Sequence, residues 1–496
     1  MNQTIFQFFH WYYSPEGNLW NHALDMAPRL ASLGITDIWL PPAYKSADGI
    51  HEPGYAVYDL FDLGEFDQKG TVRTRYGTKD EYLKCIKIIR ENGMGVIADI
   101  VFNHKMGGDE KEEVLVQKVN EENRDEVISE RHLVLAHTKF TFPGRKGKYS
   151  DYVWDWQSFT GINEGGSIAA LINDFGHGSW EPMLEDENGN FDYLMGNDIE
   201  FRNPGVREEL KNWGVWYVET TGVTGFRLDA VKHITADFFP DWLGHLQKHF
   251  KREFFTIGEY WRNDVSPLLK YQEVTQQRIH LFDVPLHFNF YKASLEKDFD
   301  MRTIFDNSLV RENPWRAITF VDNHDTQPLQ SLESTVEYWF KPHAYAIIML
   351  REAGIPCVFY PAVFEARYTD SKNGEQIYVE LNKVPVVESM IMMRRDLCYG
   401  IQGEYFDDDT IVGWTRQGEE DKDLSGMGVL LSNGHAGRKW MCMGEKNAGR
   451  ILVDICGGRP ELVTLDSKGE AMFFVNEQSV SVWVDWRYRN KLTSAS

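Results

Sequence analysis

Short apolar stretches rich in β-branched and aromatic residues alternate with longer amphipathic stretches along most of this 496-residue chain. Helical patterns cover residues 20–33, 79–92, 204–220, 235–252 and 342–352. Eight strand-like stretches occupy residues 5–9, 35–40, 96–102, 225–230, 254–259, 280–286, 317–321 and 355–360. Strand–helix alternation favours a parallel sheet, and eight repeats favour its closure into a (β/α)8 barrel, the TIM barrel of the α/β class.

One long connection, between residues 105 and 203, interrupts this rhythm. A connection of this length inside a compact domain is normally a functional insertion, so we predict an inserted subdomain after the third barrel strand. Its first part, residues 110–132, is rich in charged residues and is predicted to be helical. Its second part, residues 140–196, is rich in Gly, Asp, Asn and aromatic residues and is predicted to form loops and short strands.

After residue 397 the pattern changes to short strands separated by Gly, Asn and Asp turns. The predicted strands occupy residues 410–415, 428–432, 439–443, 471–475 and 479–484. We therefore expect an all-β C-terminal domain. The predicted organisation is a barrel domain formed by residues 1–104 and 204–397, an inserted domain over residues 105–203, and a C-terminal β-sandwich over residues 398–496.

The composition disfavours several classes of partner. A formal net charge of −23 disfavours nucleic acid, because phosphate binding needs clustered Lys and Arg, and it disfavours anionic membranes. No apolar run is long enough to cross a bilayer, and the N-terminus lacks the features of a secretory signal. The five cysteines include no C-x-x-C pair, so neither a disulfide framework nor a zinc site is predicted. We expect a monomeric, cytoplasmic protein with no nucleic-acid or membrane partner.

Polar residues follow four of the predicted barrel strands at their C-terminal ends, where the active sites of such barrels lie. The four segments read DIVFNH (99–104), GFRLDAVKH (225–233), GEYW (258–261) and FVDNHD (320–325). They direct carboxylates, histidines and one arginine toward a single mouth. A lone acidic residue at a strand end is usually a cap or loop residue, but four such strand ends in one barrel indicate an active site.

Two of these acidic residues have contrasting surroundings. Arg227 and Asp229 are two residues apart on one strand, so they project to the same side, and a guanidinium keeps a neighbouring carboxylate ionised. Glu259 follows an apolar run and precedes Tyr260 and Trp261, and apolar surroundings raise the pKa of a carboxyl group. One ionised and one protonated carboxyl group is the pattern that cleaves a glycosidic bond.

The four segments, in this order, resemble the signature regions of the α-amylase family, glycoside hydrolase family 13. The resemblance covers essentially the whole chain and is strongest with the liquefying-type bacterial α-amylases, in particular the cytoplasmic ones. Further matching segments are FHWYY (9–13), WLPPAY (39–44), GYAVYDLFDLGEFDQKG (54–70), FDYLMGNDIEFRNP (191–204) and VFYP (358–361).

The resemblance implies endo-hydrolysis of internal α-1,4-glucosidic bonds in starch, glycogen and maltodextrins, with retention of configuration. Asp229 would be the nucleophile, Glu259 the general acid and base, and Asp325 the residue that stabilises the transition state. The residues implied to bind the α-glucan substrate are Tyr55, His104, Arg227, Lys232, His233, Trp261 and His324.

The resemblance also implies a calcium ion between the barrel and the inserted domain. Its ligands would be Asn103, Asp192, Asp198 and the main-chain carbonyl of His233. Calcium prefers several oxygen ligands, and an ion here would order an insertion that is poor in regular structure.

Alternative functions remain open at this point. A transglycosylase or an exo-acting maltogenic enzyme of the same family would use the same three carboxylates. A non-catalytic glucan-binding protein would lack one of them, and a metal-dependent hydrolase would need a histidine cluster that the sequence does not contain. Thr224 and Gly258 differ from the Asp and Ala that are usual in the family, which bears on fine specificity.

Overall fold

The computed structural model describes residues 2–489 and has at its centre a closed barrel of eight parallel strands. This arrangement confirms the predicted (β/α)8 fold. Met1 and residues 490–496, which belong to the predicted first and last domains, lie outside the described residues. The barrel strands are Ile5–Gln7, Asp37–Leu40, Gly95–Ile100, Gly225–Leu228, Phe255–Gly258, His280–Phe282, Ala317–Phe320 and Ile355–Phe359.

The register between barrel strands decides which side chains meet at the mouth. Arg227 on the fourth strand lies opposite Asp99 on the third strand and Ile257 on the fifth. The strand residues are buried almost without exception, as expected where a sheet is covered by helices outside and filled by side chains inside. Polar residues at these positions therefore have to find their partners within the barrel.

Helices cover the outside of the barrel. Thr78 and Glu81 form a capping box at the start of one of them, and Gly222 in left-handed conformation ends another. The α-helices are Leu19–Leu33, Lys79–Glu91, Pro204–Thr221, Phe238–Phe250, Val265–Val274, Val284–Leu295, Leu309–Glu312, Lys341–Leu350, Pro361–Phe364 and Val387–Leu397. Short 3-10 helices are Gly49–His51, Trp156–Ser158, Val231–His233, Met301–Thr303 and Glu445–Asn447.

The insertion after the third strand forms a six-stranded sheet, and the helix predicted over residues 110–132 is wrong. That segment contains the strand Glu110–Lys118, which pairs antiparallel with His132–Lys139. Its Glu and Lys content favoured a helix, but Val114 and Val116 are buried two residues apart, which is the period of a strand. The other strands of this sheet are His104–Lys105, Phe159–Glu164, Ser167–Leu171 and Asn197–Ile199.

Residues 398–485 form strands and loops apart from the 3-10 helix already given, and a single helical turn follows at residues 486–489. This confirms the all-β C-terminal region. Three of its strands, Gln402–Tyr405, Ile451–Asp454 and Val463–Thr464, are not predicted from the sequence. The others are Ile411–Arg416, Met427–Ser432, Gly437–Cys442, Glu470–Val475 and Ser479–Asp485. The domain boundaries at residues 104, 203 and 397 stay predictions.

Two small antiparallel pairs lie outside these sheets: Lys45–Ser46 with Val57–Asp59, and Ala366–Lys372 with Glu375–Leu381. Within residues 2–489, no helix has both the length and the apolar character needed to cross a membrane.

Candidate active site

One buried guanidinium, that of Arg227, organises the mouth of the barrel. Its Nη1 donates to Asp99 Oδ1 at 2.9 Å and to Asp229 Oδ1 at 2.6 Å, and its Nη2 donates to Glu259 Oε2 at 2.6 Å. Arg227 has no exposed surface, and a charge buried this completely is tolerated only beside opposite charges. The two carboxyl groups predicted as nucleophile and proton donor are therefore neighbours across one guanidinium, the close pairing that a retaining mechanism uses.

The backbone explains how Asp229 and Glu259 come together. Asp229 N donates to Ile100 O and Glu259 N donates to Leu228 O, both at 2.9 Å, so each acid continues the hydrogen-bonding ladder of its strand. Ala230 follows Asp229 with a left-handed backbone (φ 49°), which costs free energy in a residue other than glycine. Its N–H donates to Glu259 Oε2 at 3.1 Å. This strained residue thus helps to fix the Glu259 carboxyl group.

Burial raises the pKa of two of the three predicted catalytic acids. Burial, and after it the charges of Asp229 and Asp325, raise the pKa of Glu259 to about 8, against the opposing influence of Arg227. Burial is also the main cause that raises the pKa of Asp325 to about 7. Glu259 therefore keeps its proton at neutral pH, which is the state that a general acid needs.

Asp99 belongs to the site, although the sequence analysis does not single it out. Its carboxylate accepts hydrogen bonds from Arg227, from Trp39 Nε1 at 3.1 Å and from Tyr55 Oη at 2.9 Å. It is 1% exposed, and burial raises its pKa to about 6. Asp99 opens the DIVFNH segment, so the signal was present, but only the register between strands reveals that it faces Arg227.

A stack of aromatic rings lines the mouth beside Asp325. Tyr55 stacks on His324 with ring centroids 5.1 Å apart and on Trp11 with centroids 5.4 Å apart. The Gln7 side-chain amide lies 3.0 Å from His324 Nδ1, and His324 Nε2 lies 3.3 Å from Asp325 Oδ2. Tyr55 and His324, both predicted to bind substrate, are brought together at Asp325.

His104 lies next to the same tyrosine. Its Nε2 donates to the main-chain oxygen of Tyr55 at 2.9 Å, and its ring is buried. Burial lowers the pKa of His104, so the ring is neutral. His104 is thus held beside the loop that carries Tyr55, and its contact with a sugar stays a prediction.

Lys232 and His233 lie where the insertion meets the mouth. Lys232 Nζ donates to Glu187 Oε2 at 3.0 Å, and His233 Nδ1 donates to the main-chain oxygen of Phe191 at 2.6 Å. The His233 ring is 5% exposed, and burial lowers its pKa to about 3, so it is neutral. Both residues join the fourth barrel strand to the insertion.

The fifth strand makes similar contacts with the insertion. Tyr260 Oη donates to Glu185 Oε2 at 2.7 Å, and Arg262 Nε donates to Glu185 Oε1 at 3.0 Å. Trp261, between them in sequence, packs half-buried against Phe288. Glu185, together with Glu187, therefore links the insertion to residues that follow two catalytic strands.

The two departures from the usual family residues have separate structural consequences. Thr224 Oγ1 accepts a hydrogen bond from Val96 N at 2.8 Å, at the far end of the fourth strand from the mouth. Gly258 precedes Glu259, and a Cβ atom there would lie only 3.0 Å from side-chain atoms of Ile279 and Leu281. The missing methyl group at Gly258 thus matches close packing behind the catalytic glutamate.

A second group of buried acids lies inside the insertion, near its junction with the barrel. We call Glu181, Asp192, Asp198 and Glu200 the insertion carboxylates; each is at most 1% exposed. Burial, and after it the charges of neighbouring acids, raise the pKa of Glu181 and Asp198 well above the usual range. Burial raises the pKa of Asp192 to about 7. Glu181 Oε2 has no hydrogen-bond partner in the structure.

The predicted calcium ligands converge at this place. Asn103 Nδ2 donates to Asp198 Oδ1 at 3.2 Å and to the main-chain oxygen of His233 at 3.0 Å. Asp192 Oδ2 accepts a hydrogen bond from Glu181 N at 2.9 Å. Across residues 2–489, no three His, Cys, Asp or Glu side chains are arranged so that they would hold a metal ion as they stand.

Comparison with protein families gives one match that spans most of the chain. The family model described as "Alpha amylase, catalytic domain" matches residues 26–449. This range includes all four strand-end segments and the predicted catalytic residues.

Curated relatives match over nearly the full length. An α-amylase of Geobacillus stearothermophilus is 45% identical over 97% of this chain and 87% of the relative, and a cytoplasmic α-amylase of Escherichia coli is 43% identical over 97% of this chain and 99% of the relative. A glucan 1,4-alpha-maltohexaosidase of a Bacillus species is 42% identical over 98% of this chain and 92% of the relative.

Solved structures show the same fold at low sequence identity. The α-amylase of Geobacillus thermoleovorans, crystallised with acarbose, superposes with a TM-score of 0.63 at 18% identity over 97% of this chain and 98% of that one. An Anoxybacillus α-amylase gives a TM-score of 0.64 at 18% identity over 97% of each chain.

Proposed function

This chain belongs to the α-amylase family and is a glycoside hydrolase, and we propose that it cleaves internal α-1,4-glucosidic bonds with retention of configuration. The substrates would be starch, glycogen and maltodextrins. The observation that carries this proposal is the Arg227 guanidinium, which holds the carboxylates of Asp229 and Glu259 side by side at the mouth.

The first step follows from the pairing of the two acids and from the proton that Glu259 keeps. A carboxylate oxygen of Asp229 attacks the anomeric carbon of the sugar as Glu259 donates its proton to the glycosidic oxygen, which leaves as the new hydroxyl of the other glucan fragment. Arg227 Nη1 donates to Asp229 Oδ1 and holds this carboxyl group in place for the attack. Asp325, beside His324 and Tyr55, would bind ring hydroxyls and stabilise positive charge on the distorted sugar.

The second step reverses these roles. Glu259, now ionised, takes a proton from a water molecule, whose oxygen attacks the anomeric carbon and releases Asp229. Two inversions at the same carbon give net retention. Lys232, His233 and Trp261 lie toward the insertion and would contact the fragment that leaves.

Replacement of the nucleophile tests this assignment. Asp229→Asn should lower kcat on amylose by about 10⁴-fold or more while glucan binding is retained. Asp298→Asn, at an exposed position, is the matched control and should leave kcat unchanged. Proton NMR of the first products should show the α-anomer. An active Asp229→Asn variant, or β-anomeric products, would contradict the mechanism.

The 42% identical maltohexaosidase relative supports a second candidate, the release of products of one fixed length. A time course on amylose and on an end-blocked maltoheptaoside separates the two. Internal cleavage should act on the blocked substrate and produce a broad range of lengths.

We also propose a structural calcium ion at the junction of insertion and barrel, as α-amylases are commonly calcium-dependent. Rotation of the Asn103 amide would turn its Oδ1 toward Asp198 and the His233 carbonyl, the two oxygens that its Nδ2 now contacts. The raised pKa of Asp192 and Asp198 and the unpaired Glu181 oxygen fit a site for a cation. The ion would supply positive charge that orders the insertion.

Chelation tests the ion. A calcium concentration one hundred times its Kd should stabilise the fold by about 3 kcal/mol, so chelator should lower Tm by several degrees. An unchanged Tm in chelator, with no calcium retained by elemental analysis, would contradict the site.

The cytoplasmic relative of E. coli supports a cytoplasmic location for this chain as well.

A further inference from the structure

A groove lies at the end of the barrel opposite the catalytic acids, where the barrel meets the C-terminal sheet. Its cavity of ≈ 570 Å³ is in the range of small-ligand sites. Trp315 and Ala353 line it just before the seventh and eighth barrel strands. Gln402 and Glu404 line its other side, on an edge strand of the C-terminal sheet. These residues take no part in the reaction at the mouth.

The indole of Trp315 borders this groove with 69% of its surface exposed. A tryptophan gains much free energy from burial, so a side chain this exposed beside a cavity offers an unused flat apolar surface. Phe305 and Phe406 add two more aromatic rings to the lining.

Arg351 holds the polar side of the groove in place. Its Nη1 and Nη2 donate to the two carboxylate oxygens of Glu404, each at 2.8 Å. Its guanidinium also lies 4.5 Å from the ring centroid of Phe305 and 5.3 Å from that of Phe406. Glu352 N donates to Gln402 Oε1 at 2.8 Å. Carboxylate and amide oxygens have further acceptor capacity, so this fixed row can accept hydrogen bonds from a ligand.

The charges of the lining disfavour an anionic ligand. Each arginine of the groove is already paired with a carboxylate: Arg351 with Glu404, Arg302 with Asp300 at 2.7 Å, and Arg311 with Asp306. A phosphate would have to compete with these acids. The exposed indole of Trp315, beside polar groups whose charges are already paired, instead fits an uncharged ligand with apolar faces and many hydroxyl groups.

We propose that this groove is a second binding site for an α-glucan chain, remote from the active site; the inference rests on the proposed function. The C–H face of a glucose ring would stack on Trp315, and its hydroxyls would bond to Gln402 and Glu404. Because the substrate is a polymer, a chain held here keeps its other segments at a high effective concentration near the mouth.

Trp315→Ala tests the site, in the Asp229→Asn background so that glucan is not consumed. Binding is measured as retardation in native gels that contain glycogen. Trp440→Ala and Trp486→Ala are matched controls, because these tryptophans are 51% and 47% exposed and lie outside the groove. We expect Trp315→Ala to weaken glycogen binding about fivefold or more, whereas both controls bind like the parent.

A second readout uses the active enzyme. Trp315→Ala should raise KM for glycogen more than KM for an end-blocked maltoheptaoside, which is too short to occupy both ends of the barrel. Unchanged glycogen binding by Trp315→Ala would overturn the second site. If glycogen binding is unchanged but the variant sediments differently from the parent, the groove is instead a contact with a second copy of the chain. Failure of the unmodified chain to cleave either glucan would instead overturn the proposed function.

Discussion

The barrel mouth and the insertion each bury four carboxyl groups close to one arginine. They differ in how many of these groups the arginine contacts. At the mouth, Arg227 donates to three of the acids, Asp99, Asp229 and Glu259. In the insertion, the Arg202 side chain donates to only one of the insertion carboxylates, Glu200, with Nε at 2.6 Å and Nη2 at 2.7 Å.

This difference shows what a central cation does for buried acids. The mouth is balanced by the protein itself, since one guanidinium reaches three carboxylates and Glu259 keeps a proton. The insertion leaves Glu181 with an unpaired oxygen and has no cation at its centre among the described residues. A buried acidic cluster without a central cation has to keep protons or take up a cation from solution, and this is the physical basis of the proposed calcium ion.

The largest expected loss of stability and activity follows from removing one of the carboxylates that neutralise Arg227 at the mouth. Asp99→Asn removes a charge that faces Arg227 and turns an acceptor of three hydrogen bonds into a partial donor. It should lower the free energy of unfolding by about 3–5 kcal/mol, and kcat by roughly a hundredfold because Asp229 and Glu259 lose their alignment. Chemical denaturation and initial rates measure both. Unfolding and kinetics equal to those of the parent would show that Arg227 does not depend on Asp99.

The pH profile sharpens the same comparison. Glu259 must carry a proton to act as acid, and its pKa is raised to about 8, so the protonated form predominates below that pH and is lost above it. We expect kcat/KM on the blocked maltoheptaoside to fall about tenfold per pH unit above pH 8, with circular dichroism unchanged over that range. An alkaline decline that begins below pH 6 would mean that Glu259 is not held protonated by its surroundings.

The smallest expected effect is a change in the free energy of unfolding in the insertion, and it is a gain in stability where Asp99→Asn gives a loss. Glu181→Gln removes a carboxyl group whose ionised form is disfavoured by burial and by its acidic neighbours, while its amide oxygen can still accept the main-chain N–H of Arg202. Without calcium, this variant should be more stable than the parent by about 1–3 kcal/mol. With calcium, the gain should shrink or reverse because the ion loses a neighbouring charge. Thermal unfolding in chelator and in calcium measures the two values, and destabilisation in chelator would remove the contrast with Asp99→Asn.

The barrel and most of its mouth could be predicted because each barrel strand is a local pattern. The apolar runs mark the strands, and the acids that follow them lie at one end of a parallel barrel wherever the strands close. Arg227 and Asp229 could be placed on one side from their spacing alone.

What could not be predicted depends on pairing between distant segments. Asp99 faces Arg227 only because of the register between the third and fourth barrel strands. The strand that begins at Glu110 could not be predicted, because the charged residues on its exposed face favour a helix. The strand Gln402–Tyr405 has no buried residue, so no apolar pattern marks it. The groove beside Trp315 depends on two elements that are far apart in sequence.

The contacts of Glu185 and Glu187 with Tyr260, Arg262 and Lys232 have a practical consequence. Because Glu185 and Glu187 contact residues next to Glu259 and Asp229, substitutions at these two glutamates would change the surroundings of the mouth while Asp229, Glu259 and Asp325 stay unchanged. They therefore offer positions for engineering the enzyme without altering its three acids.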